Sequence, residues 1–280
     1  MLKTKLDLAL FSLIIWILFS AILPIRAAEP WQNIQPGLNL GIFQAPPAAR
    51  QNNSRIYVLK IDPKFFKIDL YCQSEYTNKQ RTLLQWADDF KLKAVINGGM
   101  FGKDLTTSVG YLKSGDHVNN PGFHPKYNSI LACNPLDKTV PPFKIIDRTC
   151  EDFALFGNKY QSFLQSFRMI NCQQKNVWQP QEQGWSIAAL GMDGSGKLLM
   201  IYCGSPSPVH DFIEILLQLP LDIQAAMYLE GGIQAGLYLS ENKNASNASP
   251  ISWPEIVSAP EKNNQFVIPN VIGVREIGQK

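Results

Sequence analysis

Two glycine pairs, each introduced by a polar side chain at the end of an apolar run, concentrate the chemical potential of this chain: Val95-Ile96-Asn97-Gly98-Gly99-Met100-Phe101 and Tyr228-Leu229-Glu230-Gly231-Gly232-Ile233-Gln234. Each reads as a buried strand that stops at a turn. Without a Cβ, the backbone at such a turn takes positive φ and approaches a ligand closely, and its successive N–H groups form a concavity that accepts an anion. Asn97 and Glu230 stand at the rims, one as a hydrogen-bonding amide and the other as a carboxyl group able to move a proton or attack an electrophilic carbon. Either pair alone reads more readily as just a tight turn after a core strand. Two such turns in one chain point to a single composite site.

Other reactive side chains are sparse. Arg168, in the run Gln165-Ser166-Phe167-Arg168-Met169-Ile170, is a guanidinium within an otherwise apolar stretch and reads either as an anion clamp or as a surface residue on a polar face. His210 falls in the first turn of an expected helix, as a substrate contact or a helix-start residue, where the dipole favours the neutral ring. His117, His124 and Asp116 share a loop without a ligand spacing, so no metal is assigned, nor any other cofactor. The five cysteines, Cys72, Cys133, Cys150, Cys172 and Cys203, include no CxxC pair, which argues against zinc and thioredoxin chemistry. An odd number leaves at least one outside any internal bridge, and the pairing stays open. Cys72 and Cys203 end apolar runs and read as small buried hydrophobes as readily as half-cystines.

The elements that must position these residues follow from periodicity. Ile56–Ile61 and Phe66–Cys72 read as strands across the turn Asp62-Pro63 and suggest a hairpin. Leu83, Leu84, Trp86, Ala87 and Phe90 recur at helical spacing and feed a strand Ala94–Ile96, which the first glycine turn closes. Ser108–Lys113 and Ser129–Cys133 are expected as strands around a loop over Asp116–Tyr127. A short helix from Asn158 to Gln165, a strand Arg168–Ile170 and a hairpin of Ser186–Met192 with Lys197–Cys203 come next. Ser207 as N-cap and Pro208 at the first position open a second helix. It leads to a strand Ala226–Leu229 and the second glycine turn, and Phe266–Ile268 with Val271–Val274 closes the chain as strand. Hairpins mixed with two helix-strand-glycine-turn units indicate an α+β fold: a single domain around a mixed sheet with flanking helices.

Lys3 and Lys5 before the apolar run Leu8–Leu23, with small residues at Ala27 and Ala28, read as an export signal over residues 1–28, or as an uncleaved amino-terminal anchor. An extended lead over 29–54, rich in Pro, Asn and Gln, precedes the main domain at 55–280. The chain is 280 residues with a formal net charge of +3, and setting aside Lys3, Lys5, Arg26 and Asp7 leaves roughly +1. No basic stripe marks a nucleic-acid partner. Membrane contact is expected only through an uncleaved leader, and the body is expected to be secreted, periplasmic or lumenal. Asn52, Asn244 and Asn247 fit the glycosylation sequon, and Trp31, Trp86 and Trp185 are candidate sugar platforms.

The motifs in order, Asn97-Gly98-Gly99-Met100-Phe101, Gly110, Gln165 to Ile170 and Leu229-Glu230-Gly231-Gly232, resemble the phosphodiester glycosidase family over roughly Ile56 to Tyr238. The resemblance implies hydrolysis of a sugar-1-phosphodiester at the anomeric C–O bond, and the expected partner is a sugar phosphodiester or a cell-envelope glycan. The family commonly has Asp where this chain has Glu230, one methylene longer, and an Arg where this chain has Ile187 or its neighbours. Arg168 then supplies the cation from a different backbone position. The implied catalytic group is Glu230, Asn97 and Arg168, with Gly98, Gly99, Phe101, Gly110, Ser166, Gly231, Gly232, Gln234 and His210 around the substrate. Because a phosphomonoester leaves far more readily than an alcohol, one carboxylate suffices where ordinary glycoside hydrolysis uses two. Glu230 acts as base for water or as nucleophile. The alternative is a catalytically silent glycan- or phosphate-binding envelope protein of the same fold.

Overall fold

The computed structural model describes residues 30–44, 55–240 and 266–278. The leader and the three sequons lie outside these residues. In chain order the elements are β1 (Trp31–Gln35), β2 (Leu38–Gln44), β3 (Arg55–Ile61), β4 (Phe66–Cys72), α1 (Leu83–Phe90), β5 (Ala94–Asn97), β6 (Leu112–Ser114), β7 (His117–Asn120) and β8 (Ser129–Pro135). They continue with β9 (Phe143–Asp147), β10 (Tyr160–Ser166), β11 (Arg168–Ile170), β12 (Trp185–Asp193), β13 (Leu198–Ser207), α2 (Val209–Gln218), β14 (Ile223–Gly231), β15 (Leu237–Leu239) and β16 (Asn270–Glu276).

The strands form three sheets: a seven-stranded one ordered β1-β2-β3-β13-β12-β14-β11, a five-stranded one ordered β7-β6-β10-β8-β9, and a four-stranded one ordered β15-β5-β16-β4. Every pairing between them is antiparallel. The expected α+β fold with a mixed sheet is therefore wrong, and the described residues make a mostly β protein with only two α-helices. The reason lies in what the crossovers skip. Helix α1 does carry the chain from β4 to a parallel β5, but the last strand, β16, inserts between them and is antiparallel to both. Helix α2 likewise joins β13 to β14, and β12 separates them.

Two further expectations fail for related reasons. Strands β3 and β4 are not a hairpin; β3 lies between β2 and β13, while β4 pairs with β16 in another sheet. The segment expected as a helix up to Gln165 is the strand β10, paired with β8 on one side and β6 on the other. Its apolar residues are buried from both faces, so alternation is hidden in the sequence. Smaller shifts are that β6 begins only at Leu112, that β7 forms inside the expected loop, and that residues 266–268 are not strand. Helix α2 opens one residue late, with Pro208 at the N-cap and no side-chain cap.

Inward faces of all three sheets share one apolar core, in which Leu59, Leu190, Met200, Met227 and Leu229 meet Leu131 and Leu164 and also Leu70, Ile96 and Ile272. Helix α2 covers the outer face of the large sheet with Phe212, Ile213 and Leu216. Helix α1 covers the four-stranded sheet with Leu83, Trp86 and Ala87. It is well specified locally: Thr82 and Gln85 form a reciprocal capping box, and Lys91 ends it in the left-handed conformation. Trp86 is fully buried and its Nε1–H donates to the Ile268 carbonyl at 2.7 Å, which removes it as a sugar platform. Trp86→Ala opens a large cavity and orphans that carbonyl. It is expected to cost about 3–5 kcal/mol in urea-denaturation experiments, and a loss under about 1 kcal/mol would contradict this packing.

Candidate active site

Strand β14 delivers Tyr228, Leu229 and Glu230 to the second glycine turn, where Gly232 takes φ of +70°. The Ser186 hydroxyl donates to the Gly232 carbonyl and pins the turn to β12. Glu230 pairs across the sheet with Ala188, is only 9% exposed, and accepts a hydrogen bond from the Gly231 N–H at 2.9 Å. Burial raises its carboxyl to about 7, partly opposed by that N–H. No ion pair or other side-chain hydrogen bond reaches it among the described residues. Tyr127 and Tyr228 flank it: burial raises both hydroxyls, and the charge of Glu230 raises them further. At Gly231 any Cβ would run into the Tyr228 hydroxyl, so this close approach requires glycine.

The other two sheets converge on the same place. Asn97, at the end of β5 and fully buried, donates from Nδ2 to the Gln234 carbonyl at 2.9 Å and accepts at Oδ1 from the Gly236 N–H at 2.8 Å. The first glycine motif is thus stapled to the segment that follows the second. Gly98 donates its N–H to the Asn270 carbonyl at 2.7 Å, and a Cβ there would lie 2.7 Å from the Asn270–Val271 backbone. From the five-stranded sheet, Ser166 at the end of β10 donates its hydroxyl to the Tyr228 carbonyl, and the Phe167 carbonyl accepts from the Tyr228 N–H. Gln165 also belongs here, although its chemistry gave no sign of it. Its Nε2 donates to the His124 and Tyr127 carbonyls at 2.9 and 2.7 Å, and its Oε1 accepts from the His124 and Tyr111 N–H groups at 2.8 and 3.1 Å. Gly110 is the space that lets the Tyr127 ring lie against Gln165.

The remaining candidates make their bonds elsewhere. Phe101 bridges to Ser108 beyond the first turn, where Gly99 takes φ of +85°, and His210 pairs at Nδ1 with Asp211 at 3.1 Å; no hydrogen bond or ion pair links either to Glu230. Arg168 donates to Asp147 at 2.6 Å and to the Thr149 hydroxyl, and not to Glu230. Burial pushes the Asp147 carboxyl up, but hydrogen bonds from Thr149, the Cys172 N–H and Arg168 outweigh it and hold it below the usual range. A Cys150–Cys172 disulfide ties the segments after β9 and β11 beside this pair, while Cys72, Cys133 and Cys203 are buried thiols. Asp147, Cys150 and Cys172 lie together as a metal set would, but the disulfide consumes both thiols. Trp31 packs against Phe43 and Lys60, whereas Trp185 stays 48% exposed with its ring against Gly232. A hollow of about 690 Å³ is lined by none of the residues around Glu230, and the Lys67 and Arg275 that line it both pair with Asp69.

The family model for phosphodiester glycosidases matches residues 90–275, well over half of the chain and every part of the junction just described. The chain belongs to the phosphodiester glycosidase family. Its function is accordingly of the glycosidase type. The fold is similar to that of the zebrafish N-acetylglucosamine-1-phosphodiester alpha-N-acetylglucosaminidase catalytic domain auto-inhibited by its pro-peptide, at 17% identity and a TM-score of 0.61 over 90% of this chain and 87% of that one. A hypothetical protein from Synechocystis is similar at 13% identity and a TM-score of 0.62, over 89% of this chain and 64% of that longer one. A Burkholderia pseudomallei protein described as exported follows at 9% identity and 0.52, over 79% and 74%. No curated protein matches significantly. No helix among the described residues is long and apolar enough to cross a membrane.

The raised Glu230 carboxyl has a stability consequence. Between the ordinary carboxylate value of 4.5 and about 7, the folded state holds a proton that the unfolded chain has lost, so stability falls as pH rises through that window. Glu230→Gln removes the penalty. The variant is expected to be more stable than the parent by about 2–4 kcal/mol at pH 8, with the difference shrinking toward pH 4. Equal pH profiles of the denaturation midpoint in the two proteins would show that the carboxyl is not buried as described.

Proposed function

We propose that this chain hydrolyses the anomeric C–O bond of a sugar-1-phosphodiester, outside the cytoplasm, with Glu230 as general base. The observation that carries the reading is a carboxyl group poised near neutrality, without a counter-cation, where three sheets meet. A group of that affinity takes and returns a proton at working pH more effectively than an ordinary carboxylate. A nucleophile must instead be ionised throughout, which favours the base role over covalent attack. In the step proposed, the water oxygen bonds to the anomeric carbon as its proton passes to Glu230. The C–O bond breaks with its electron pair leaving on the phosphate monoester, which needs no protonation to depart. The proton then returns to solvent.

Asn97 acts in this reading by holding the 234–236 segment behind the acid, since both ends of its amide are already engaged. Tyr127 and Tyr228 keep their protons and remain donors toward a ligand oxygen. The name of the zebrafish relative supports an N-acetylhexosamine 1-phosphodiester as the first substrate to try. Export is supported by the basic and apolar leader, by the disulfide and by the relative described as exported.

The test is the methyl phosphodiester of N-acetylglucosamine 1-phosphate, followed by release of free sugar and methyl phosphate. Parent kcat/KM is expected to rise with pH through an apparent pKa near 7, because the ionised carboxylate is the active form. Glu230→Gln is expected to lower kcat by roughly a hundredfold or more with KM little changed, and to abolish that pH limb. Unchanged turnover in the folded variant would remove Glu230 from the mechanism. No turnover by the parent on any sugar-1-phosphodiester would leave the fold as a binding protein.

A further inference from the structure

Gln165 is buried in the strand β10, and its side-chain amide uses its whole hydrogen-bonding capacity. Nε2 donates to the His124 and Tyr127 carbonyls, and Oε1 accepts from the His124 and Tyr111 N–H groups. Three of these four bonds fall on the turn 124–127, which is closed within itself by the Tyr127 N–H donating to the His124 carbonyl at 3.2 Å and the Lys126 N–H donating to His124 Nδ1 at 3.3 Å. One side chain thus holds both ends of the turn against a central strand of its sheet. Gly110 completes the seat. A Cβ there would lie 2.6 Å from the Gln165 carbonyl oxygen and 2.9 Å from the Tyr127 ring.

What the turn carries is Tyr127. Its ring is 4% exposed, with the His124 ring against it at 3.9 Å and the Phe167 ring at 4.3 Å. From Phe167 the rings continue through Trp178 at 5.3 Å to Tyr228 at 5.4 Å, so Tyr127 and Tyr228 are the two ends of one aromatic arc. Both ends feel the charge of Glu230. The Tyr228 end lies on the strand of the acid itself, where the Phe167 carbonyl and the Ser166 hydroxyl hold its backbone. The Tyr127 end comes from the loop before β8, and there Gln165 supplies the anchor. We propose that Gln165 is a positioning residue: by holding residues 124–127 against β10 it keeps the Tyr127 ring as a wall between Glu230 and water. The other elements bring no charge to the acid, since β12 places Ala188 opposite it, His124 stands behind Tyr127, and Arg168 with Asp147 stands behind Phe167. Loss of the wall therefore acts on Glu230 through water alone. The kinetic consequence rests on reading Glu230 as the reacting carboxyl, whereas titration of the carboxyl needs no turnover.

The test is carbon-13 NMR titration of the Glu230 side-chain carboxyl in the full chain, with the signal assigned by its loss in Glu230→Gln. The parent midpoint is expected near 7. Gln165→Leu keeps the bulk of the side chain and loses all four bonds, and is expected to lower the midpoint by at least about one pH unit toward the ordinary 4.5. Gly110→Ala presses on the same ring and leaves the Gln165 amide in place. It is expected to move the midpoint in the same direction, and it carries the test if Gln165→Leu does not fold. Tyr127→Phe keeps the ring and is expected to leave the midpoint nearly where it was. A midpoint unmoved in folded Gln165→Leu or Gly110→Ala protein would overturn the proposal, and a fall in Tyr127→Phe as large as in Gln165→Leu would assign the effect to the hydroxyl and overturn the wall. A Gln165-dependent midpoint in a protein without turnover would support the positioning role and sink the catalytic reading. Glu230-dependent turnover whose pH limb ignores Gln165→Leu would do the reverse.

Discussion

A carboxyl group kept out of water with no cation beside it is costly, and the surrounding fold has to hold it in place. Glu230 is in that position, and the polar groups around it bond to the backbone next to it and not to the carboxylate itself. Asn97 grips the chain just after it, Ser166 grips the residue two places before it, and Ser186 fixes the turn it introduces. These three contacts come from three different strands in the three sheets. The acid is therefore positioned without being neutralised, and among the described residues its one internal hydrogen bond is from the N–H of the next residue.

The topology explains how the three sheets reach one point. Strand β16, the last in the chain, enters between β4 and β5 and gives Gly98 the backbone it sits on, which fixes where β5 ends and where Asn97 points. The chain then passes from β10 straight into β11 through Phe167 alone, so the five-stranded sheet hands over to the large sheet beside Tyr228. A short connection of this kind leaves little freedom at the junction, in keeping with the requirement that a reacting group be held rigidly by its supports.

Much of this was legible in the sequence, and the limits were physical. Both glycine turns, helix α1 and the β12–β13 hairpin declared themselves through local chemistry: a glycine pair after an apolar run, a repeating apolar period, a glycine-rich turn. What stayed hidden was pairing between distant segments. Nothing near Phe66–Cys72 reveals that its neighbour is Asn270–Glu276, and β10, buried on both faces, loses the alternation that distinguishes a strand from a helix. In the site, Asn97 and Glu230 were visible because each adjoins a glycine pair. Tyr127, Gln165 and Trp178 were not, since a loop tyrosine or a strand glutamine has no local mark of its purpose. Arg168 was noticed, but its partner, Asp147, is brought to it only by the β9 and β11 ends and their disulfide, which no local pattern shows.

That partner matters for the acid as well. A guanidinium in contact with Glu230 would favour the charged form and lower its pKa by about 1–3 units, undoing the effect of burial and leaving an ordinary carboxylate. The structure avoids this by giving Arg168 its own carboxylate and placing both behind Phe167, Trp178 and the two tyrosines. Asp147, held ionised by Thr149 and the Cys172 N–H, keeps the guanidinium where it is. Two carboxyl groups in one small region are thereby driven in opposite directions, Glu230 up by burial and Asp147 down by hydrogen bonds. Separation of that kind lets one site hold an anion and a proton-transfer group at the same pH. The aromatic layer between them keeps the Arg168 guanidinium away from the acid, so burial dominates the state of the Glu230 carboxyl.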